Sequence, residues 1–195
     1  MVTEFAEYGS LHDLMNKMSG NKPRLMMRTK ICLDASKGIE YLHDNGILHR
    51  DIKPDNMLII SLEDNMNVNA KLTDFGSARN VNLLITNMTF TKGIGTPVYM
   101  APEVLDQQHY KKPADIYSFA ITMFECFGWE ECYPKSEFKF PWKIAEFVSS
   151  GHRMRKKHEI SDDEYDLIEK CWCQNPNDRL EIKEIIKKLE ELYGK

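Results

Sequence analysis

The sequence has few features of an extracellular, membrane-spanning or nucleic-acid-binding protein. Its five cysteines are an odd number, and their spacing forms neither a paired C-x-x-C zinc pattern nor a dense disulfide framework. No apolar run approaches the roughly 18 residues that a spanning helix needs, and the N-terminal residues carry acids but no basic secretion-signal segment. With 26 Lys and Arg against 30 Asp and Glu, the net charge of −4 excludes a basic nucleic-acid module. We therefore expect a soluble, cytoplasmic chain with no membrane insertion and no nucleic-acid partner.

Internal repeats, low-complexity tracts and long linkers rich in Pro, Gly or Ser are also absent from the 195 residues. The composition, 42% hydrophobic and 29% charged, is that of an ordinary globular domain. A chain of this mass hides about 70% of its unfolded surface when it folds. One folded unit with one sizeable core is expected.

Helical periodicity dominates the apolar pattern. Apolar residues recur at helical spacing over residues 31–42 and stop at Asp44-Asn45-Gly46, a typical C-terminal stop. A second apolar stripe covers residues 116–127 with few charges, and Pro113 with Asp115 supplies its N-terminal signal. The first stripe predicts a long amphipathic helix, and the second predicts the buried central helix of the domain.

The C-terminal third adds two more helices, whereas strand signal is scarce. Ser161 and Glu164 form a capping box, and apolar spacing over residues 182–192 predicts a last amphipathic helix. Residues 57–60 and 71–73 flank an Asn-rich loop and predict one short β-hairpin. The expected fold class is mainly α, a helical bundle around a buried central helix with one short β-hairpin.

Three motifs carry the chemical information. His49-Arg50-Asp51-Ile52-Lys53-Pro54-Asp55-Asn56 fits H-R-D-x-x-x-x-N, Asp74-Phe75-Gly76 starts eighteen residues after Asn56, and Ala101-Pro102-Glu103 ends twenty-nine residues after Asp74. Each motif alone is weak evidence, but their order and spacing resemble the C-terminal lobe of a eukaryotic protein kinase. The resemblance runs from Thr3 to the last helix. It implies the C-lobe of the α+β protein-kinase fold, with residues 1–195 forming a partial kinase domain of hinge and C-lobe.

The resemblance also implies the cofactors ATP and Mg²⁺ and a set of catalytic residues. Asp51 matches the residue that accepts the proton of the substrate hydroxyl, and Lys53 matches the one that contacts the transferring phosphate. Asn56 and Asp74 match the Mg²⁺ ligands, and their amide and carboxylate oxygens suit a hard cation. Isolated Asx residues are otherwise common as helix caps and turn residues, which is the alternative for Asp51 and Asn56.

An adenine site is implied near the N-terminus. Thr3 matches the gatekeeper position, and the backbone groups of Glu4 and Ala6 match those of the hinge that bind the adenine edge. Leu58 on the predicted hairpin would form the apolar floor beneath that ring. An ordinary core leucine fits the same position equally well.

Further matches are structural. Asp115 matches a buried aspartate that holds the catalytic turn through backbone hydrogen bonds, although a first-turn carboxylate favoured by the helix dipole is the alternative. Glu103 and Arg179 match a pair that ties the segment after Asp74 to the last helices. The other motif residues assigned structural roles are His49, Phe75 and Gly76.

Regulation is implied for the segment between Asp74 and Glu103, here named the activation segment. Thr89 and Thr91 lie in it, and phosphorylation would place either one opposite an arginine, for which Arg50 is the natural partner.

The substrate class follows from Lys53 in the catalytic loop and from Thr96 before the Ala-Pro-Glu triplet, both of which resemble serine/threonine kinases. Residues 115–119 and 171–176 resemble both the tyrosine kinases and the tyrosine-kinase-like group. We therefore expect a tyrosine-kinase-like Ser/Thr kinase that acts on protein substrates. Leu180 departs from the group, which usually has proline at that position.

The sequence lacks the Gly-rich loop, the strand lysine and the helix glutamate of a kinase N-lobe. One hypothesis is an enzyme whose N-lobe lies upstream of residue 1. The alternative is an inactive C-lobe or pseudokinase that acts as a protein-binding module. Retention of Asp51, Lys53, Asn56 and Asp74 favours the enzyme, since a docking module has no chemical use for all four.

Overall fold

The computed structural model describes residues 5–80 and 97–194. The predictions made for Thr3, Glu4, Thr89, Thr91 and Thr96 lie outside these residues. The helices are α1 (Leu11–Lys17), α2 (Leu25–Asp44), α3 (Pro102–Leu105), α4 (Lys112–Gly128), α5 (Pro141–Ser149), α6 (Asp162–Cys171) and α7 (Ile182–Tyr193), and the strands are β1 (Ile47–Leu48), β2 (Met57–Ile59), β3 (Ala70–Leu72) and β4 (Arg79–Asn80). The mainly helical fold class predicted from the sequence is confirmed.

Helix α4 is the axis of the core. All its residues from Ala114 to Gly128 are buried, and α2 and α6 pack against it. The helix ends at Gly128, and the next residue, Trp129, caps it in a left-handed conformation with φ 57°. The prediction of a buried central helix is confirmed, and the sparse charge of this stretch is the reason that every face of it can be covered.

Helix α2 connects the core to the loops of the site. It ends at Asp44 and is followed by Gly46 with φ 67°, a backbone conformation that favours glycine. On the same helix, Asp34 accepts hydrogen bonds from the backbone amides of Asn69 at 2.6 Å and Ala70 at 3.3 Å. Through these bonds α2 fixes the start of β3.

The predicted C-terminal helices are also present. The Ser161 hydroxyl accepts the Glu164 amide, and the Glu164 carboxylate accepts the Ser161 amide, so the predicted capping box starts α6. Helix α7 packs along α2.

Two short antiparallel sheets frame the motif loops. Strands β2 and β3 pair with Leu58 opposite Lys71, as the hairpin prediction required. Strands β1 and β4 form a second pair that the sequence pattern does not reveal, because two-residue strands have no measurable alternation. The catalytic loop, residues 49–56, lies between β1 and β2, and Asp74-Phe75-Gly76 lies between β3 and β4.

In residues 5–80 and 97–194 no helix combines the length and apolar character needed to cross a bilayer.

Candidate active site

The catalytic loop begins with a strained turn. Arg50 has φ 72°, which is uncommon for a residue other than glycine and places the peptide before Asp51 in an unusual orientation. The His49 ring braces this turn, because its Nδ1 accepts the Asp51 amide at 3.3 Å and its Nε2 lies 3.0 Å from the carbonyl of Thr73. Nε2 must therefore carry the proton of the imidazole. The same ring contacts Phe75, at 5.4 Å between centroids.

The buried carboxylate of Asp115 holds this turn through hydrogen bonds to its backbone. Asp115 is fully buried, and its two oxygens accept the backbone amides of His49 at 3.0 Å and Arg50 at 2.9 Å, together with the Tyr110 hydroxyl at 2.8 Å. His43 on α2 contacts it as well, at 2.9 Å. Burial by itself raises the pKa of Asp115, but the bonds from His43 and the other donors outweigh it, so the pKa lies below its ordinary value. Four donors thus keep the carboxylate ionised and compensate for its burial.

The polar groups of the catalytic loop converge on Asp51. The Lys53 ammonium lies 2.8 Å from its carboxylate, and the Asn56 amide nitrogen donates both to this carboxylate at 3.0 Å and to the backbone carbonyl of Asp51 at 2.7 Å. Asn56 is buried, whereas the side chains of Asp51 and Lys53 are partly exposed. The catalytic loop therefore exposes the Asp51 carboxylate and the Lys53 ammonium to solvent, while the buried Asn56 holds the Asp51 carboxylate in place.

Asp74 is brought next to this loop by a backbone hydrogen bond. The amide of Thr73 donates to the carbonyl of Asn56 at 3.0 Å. Asp74 itself is exposed, has a left-handed backbone with φ 59°, and accepts the amide of Gly76 at 3.2 Å. A Cβ added at Gly76 would lie 3.1 Å from the Asp74 carboxylate, so a larger residue there would crowd it.

Asn56 and Asp74 fit a magnesium ion by the chemistry of their donors. The amide nitrogen of Asn56 is used on Asp51, which turns its carbonyl oxygen away from that contact, and the Asp74 carboxylate is accessible. Within residues 5–80 and 97–194 no cluster of three or more His, Cys, Asp or Glu could enclose a metal. Two oxygen ligands leave the remaining positions to phosphates and water, an arrangement typical of Mg²⁺ rather than of a closed protein site.

The segment after Ala6 joins the edge of β2. The amide of Tyr8 donates to the Ile59 carbonyl at 3.3 Å, and the amide of Ile59 donates to the Gly9 carbonyl at 2.9 Å. Leu58 is half-buried while its strand neighbours are fully buried, so its side chain lies on the opposite, more open face of β2. The carbonyl of Ala6 accepts the Gly9 amide at 3.2 Å.

The guanidinium of Arg50 has donor atoms without hydrogen-bond partners among the described residues. Its Nε and Nη1 are buried without a hydrogen-bond partner in the described part of the chain, and its guanidinium lies 5.6 Å from the centroid of the Tyr110 ring. Desolvation lowers the pKa of Arg50 below its ordinary value, and the nearby Arg79 adds to this effect. A half-buried cation with unpaired donor atoms and a second cation nearby favours the approach of an anion.

Glu103 and Arg179 form a bidentate ion pair. Arg179 Nη1 and Nη2 each lie 2.7 Å from one Glu103 oxygen. The guanidinium also donates to the carbonyls of Pro113 at 2.8 Å and Cys173 at 3.0 Å. The pair thereby joins α3 to the segment that connects α6 and α7.

Sequence reasoning missed a buried acid near the site. Glu125 is 3% exposed, and its carboxylate accepts the Tyr99 hydroxyl at 2.9 Å and the Cys132 amide at 2.8 Å. Burial raises the pKa of Glu125 to about 7, although these two hydrogen bonds oppose the rise. The available signal was that Glu125 is the only charged residue between Ile116 and Gly128.

A helical core that holds an H-R-D-x-x-x-x-N loop beside Asp-Phe-Gly defines the catalytic region of a protein kinase. A family model for the protein kinase domain matches residues 1–189, and the chain belongs to this family.

Its relatives are named as serine/threonine-protein kinases. The chain is 34% identical over 197 residues to the probable serine/threonine-protein kinase gdt2 of Dictyostelium discoideum, an alignment that covers 100% of this chain. Over 193 residues it is 36% identical to the serine/threonine-protein kinase STY17 of Arabidopsis thaliana, and over 199 residues it is 33% identical to VIK of the same plant, in both cases across 98% of this chain. These alignments cover 12%, 32% and 43% of the three relatives, so the chain spans less than half the length of each.

Proposed function

We propose that the chain is the hinge and C-lobe of an intracellular protein kinase that transfers the γ-phosphoryl group of ATP to Ser and Thr hydroxyls of proteins. The observation that carries the proposal is the convergence of Lys53 and Asn56 on Asp51, on a loop held by the ionised Asp115. Five unpaired cysteines support a reducing compartment.

Asp51 orients the substrate hydroxyl and accepts its proton. The 3.0 Å hydrogen bond from Asn56 fixes the Asp51 carboxylate, and the strained turn at Arg50 sets the orientation of the Asp51 side chain. Lys53, 2.8 Å from Asp51, is close enough to follow negative charge that develops on the transferred group. Asn56 and Asp74 would hold Mg²⁺, which neutralises phosphate charge when bound.

The adenine ring would lie on Leu58, against the backbone of Glu4 and Ala6 and next to Thr3. The half-buried, open-faced position of Leu58 supports this placement.

The Ser/Thr specificity is supported by Lys53 in the catalytic loop, by Thr96 before the Ala-Pro-Glu triplet, and by the names of the relatives. Placement in the tyrosine-kinase-like group is supported by residues 115–119 and 171–176, which resemble both that group and the tyrosine kinases. Phosphorylated Thr89 or Thr91 would supply the anion that the free donors of Arg50 favour.

The test is phosphoryl transfer from radiolabelled ATP to a mixed peptide library. It uses the full-length protein encoded around these residues, with Asp51→Asn as its control, and residues 1–195 alone in parallel. We expect the full-length protein to label Ser and Thr, and Asp51→Asn to abolish the labelling. The 195 residues alone should give background, because they lack the Gly-rich loop and strand lysine that hold phosphates in line. Labelling that persists in Asp51→Asn, or that falls mainly on Tyr, would contradict the proposal.

A further inference from the structure

The β2–β3 hairpin carries both ends of the proposed nucleotide site. Leu58, the proposed adenine floor, lies on β2 opposite Lys71 on β3. Asn56 directly precedes β2, and Asp74 lies two residues beyond the end of β3. A shift of β3 along β2 would therefore change the distance between the Asp74 carboxylate and Leu58.

Residues 8–10 hold β2 from the side of the predicted hinge. The Ile59 amide donates to the Gly9 carbonyl at 2.9 Å, and Ser10 forms an isolated antiparallel bridge with Leu58. These contacts come from the chain just before α1. Leu58 therefore has an anchor of its own, on a different segment from the anchors of β3.

Helix α2 holds β3 from the other side. One oxygen of the Asp34 carboxylate accepts the amides of Asn69 and Ala70, which fixes the first residue of the strand. The other oxygen is paired with Lys30, whose ammonium also donates to the Asn67 carbonyl at 2.9 Å. The side chains of Lys30 and Asp34 are 12% and 6% exposed, so water screens these interactions little.

Asn69 closes the loop that joins the two strands. It is fully buried, and its side-chain nitrogen donates to the carbonyls of Ser61 at 3.1 Å and Glu63 at 2.9 Å. Its side-chain oxygen has no hydrogen-bond partner among the described residues, so this side chain acts as a donor. The backbone carbonyl of Asn69 accepts the Ile60 amide at 2.8 Å. Because residues 63–68 are exposed, Asn69 is the buried side chain at the base of this loop.

We propose that Asp34 and Asn69 are positioning residues for the nucleotide, which hold β3 against β2 so that the Asp74 carboxylate stays at a fixed distance from Leu58. This inference rests on the proposed kinase function. A nucleotide bound through Mg²⁺ contacts both ends of the hairpin and depends on this distance. Adenosine has no phosphate and contacts only the Leu58 end. Loss of either anchor should therefore weaken the binding of Mg-nucleotide much more than the binding of adenosine.

Two variants of the full-length protein remove the two anchors separately. Asp34→Asn keeps the shape of the side chain but has one acceptor oxygen instead of two, so it cannot serve both Lys30 and the strand amides. Asn69→Ala removes the donor at the base of the loop. Asp64→Asn is the matched control, because Asp64 lies in the exposed part of the same loop and its carboxylate contacts the exposed Arg24.

Isothermal titration calorimetry measures the affinity for Mg-ADP and, separately, for adenosine. Asp34→Asn and Asn69→Ala should each raise the Kd of Mg-ADP about tenfold, the factor that corresponds to a hydrogen bond of ordinary strength, and leave the Kd of adenosine within about twofold. In the radiolabelled ATP assay both variants should raise the KM for ATP, with the KM for peptide almost unchanged. Asp64→Asn should match the wild type in each measurement.

An unchanged Kd of Mg-ADP in either folded variant, alongside a wild type that binds Mg-ADP and transfers phosphate, would overturn the inference alone. Equal losses of Mg-ADP and adenosine affinity would also overturn it, because that pattern indicates a general disturbance of the hairpin. Circular dichroism checks folding, and Asn69→Ala decides the outcome if Asp34→Asn does not fold. A wild type that neither binds Mg-ADP nor transfers phosphate would refute the proposed function and this inference together.

Discussion

Replacing Glu103 by alanine tests the energetics of the buried ion pair. The Arg179 side chain is 0% exposed and that of Glu103 is 9% exposed, and both oxygens of the carboxylate lie 2.7 Å from the guanidinium. Glu103→Ala removes these two bonds and leaves a buried cation. The remaining acceptors are neutral carbonyls, among them those of Pro113 and Cys173.

The magnitude follows from burial. Removing one partner of a buried pair typically costs about 3–5 kcal/mol, because the other charge remains desolvated. The carbonyls of Pro113 and Cys173 still stabilise the Arg179 guanidinium in part, which places the expected loss near the low end, about 3 kcal/mol. For a domain of this size that loss lowers the melting temperature by roughly 6–12 °C.

Urea denaturation followed by circular dichroism measures the effect. The matched control is Asp166→Ala, which breaks the Lys170–Asp166 pair at the same 2.7 Å but with side chains 47% and 53% exposed. The control should lose less than about 1 kcal/mol, because water screens an exposed pair. The two pairs have the same 2.7 Å distance, and they differ in burial and in the number of bonds, two for Glu103 and one for Asp166.

Equal midpoints for Glu103→Ala and Asp166→Ala, with the same denaturant slope, would refute the reasoning. They would mean that the desolvated Arg179 guanidinium costs nothing once its carboxylate is gone.

Three further predictions concern other carboxylates. Asp115→Asn replaces an oxygen acceptor by an NH₂ donor that faces the backbone amides now bound to Asp115. The free energy of unfolding should therefore fall by about 3 kcal/mol, and hydrogen exchange at the His49 amide should accelerate. Native protection of that amide would contradict the geometry. The raised pKa of Glu125 means that the folded state holds its proton more tightly than the unfolded state, so the stability that this group contributes is lost as pH rises from about 4.5 through about 7. The free energy of unfolding of the wild type minus that of Glu125→Gln should therefore fall by about 2–3 kcal/mol between about pH 5 and pH 8, and parallel pH curves would count against it. In the full-length protein, Asp74→Asn should weaken Mg-ATP binding, whereas Asp51→Asn should lower kcat with nucleotide affinity retained; equal loss of nucleotide binding would show that the two roles are not separate.

Local signals in the sequence predicted four of the helices. The apolar spacing of α2, α4 and α7 and the Ser161 capping box of α6 are properties of neighbouring residues, so the chain determines them without tertiary contacts. Helix α1 also has a local signal, a capping box between Ser10 and Asp13, but seven residues are too few for apolar periodicity to reveal it. The four residues of α3 and the two-residue strands β1 and β4 have no such signal, because packing of distant segments stabilises them.

For the candidate site, too, some features follow from local sequence and others only from tertiary contacts. The sequence determined which residues the H-R-D-x-x-x-x-N and Asp-Phe-Gly motifs contain and in what order, and that was enough to indicate the family. The resemblance implied that Asp115 holds the catalytic turn, but only the tertiary structure placed His43, 72 residues away, on the same carboxylate as the Arg50 amide. It also buried Glu125 against Tyr99, 26 residues away. Burial and hydrogen bonding set the ionisation of a carboxylate, and both come from segments far apart in the chain. The sequence therefore does not show that the pKa is lowered at Asp115 and raised at Glu125.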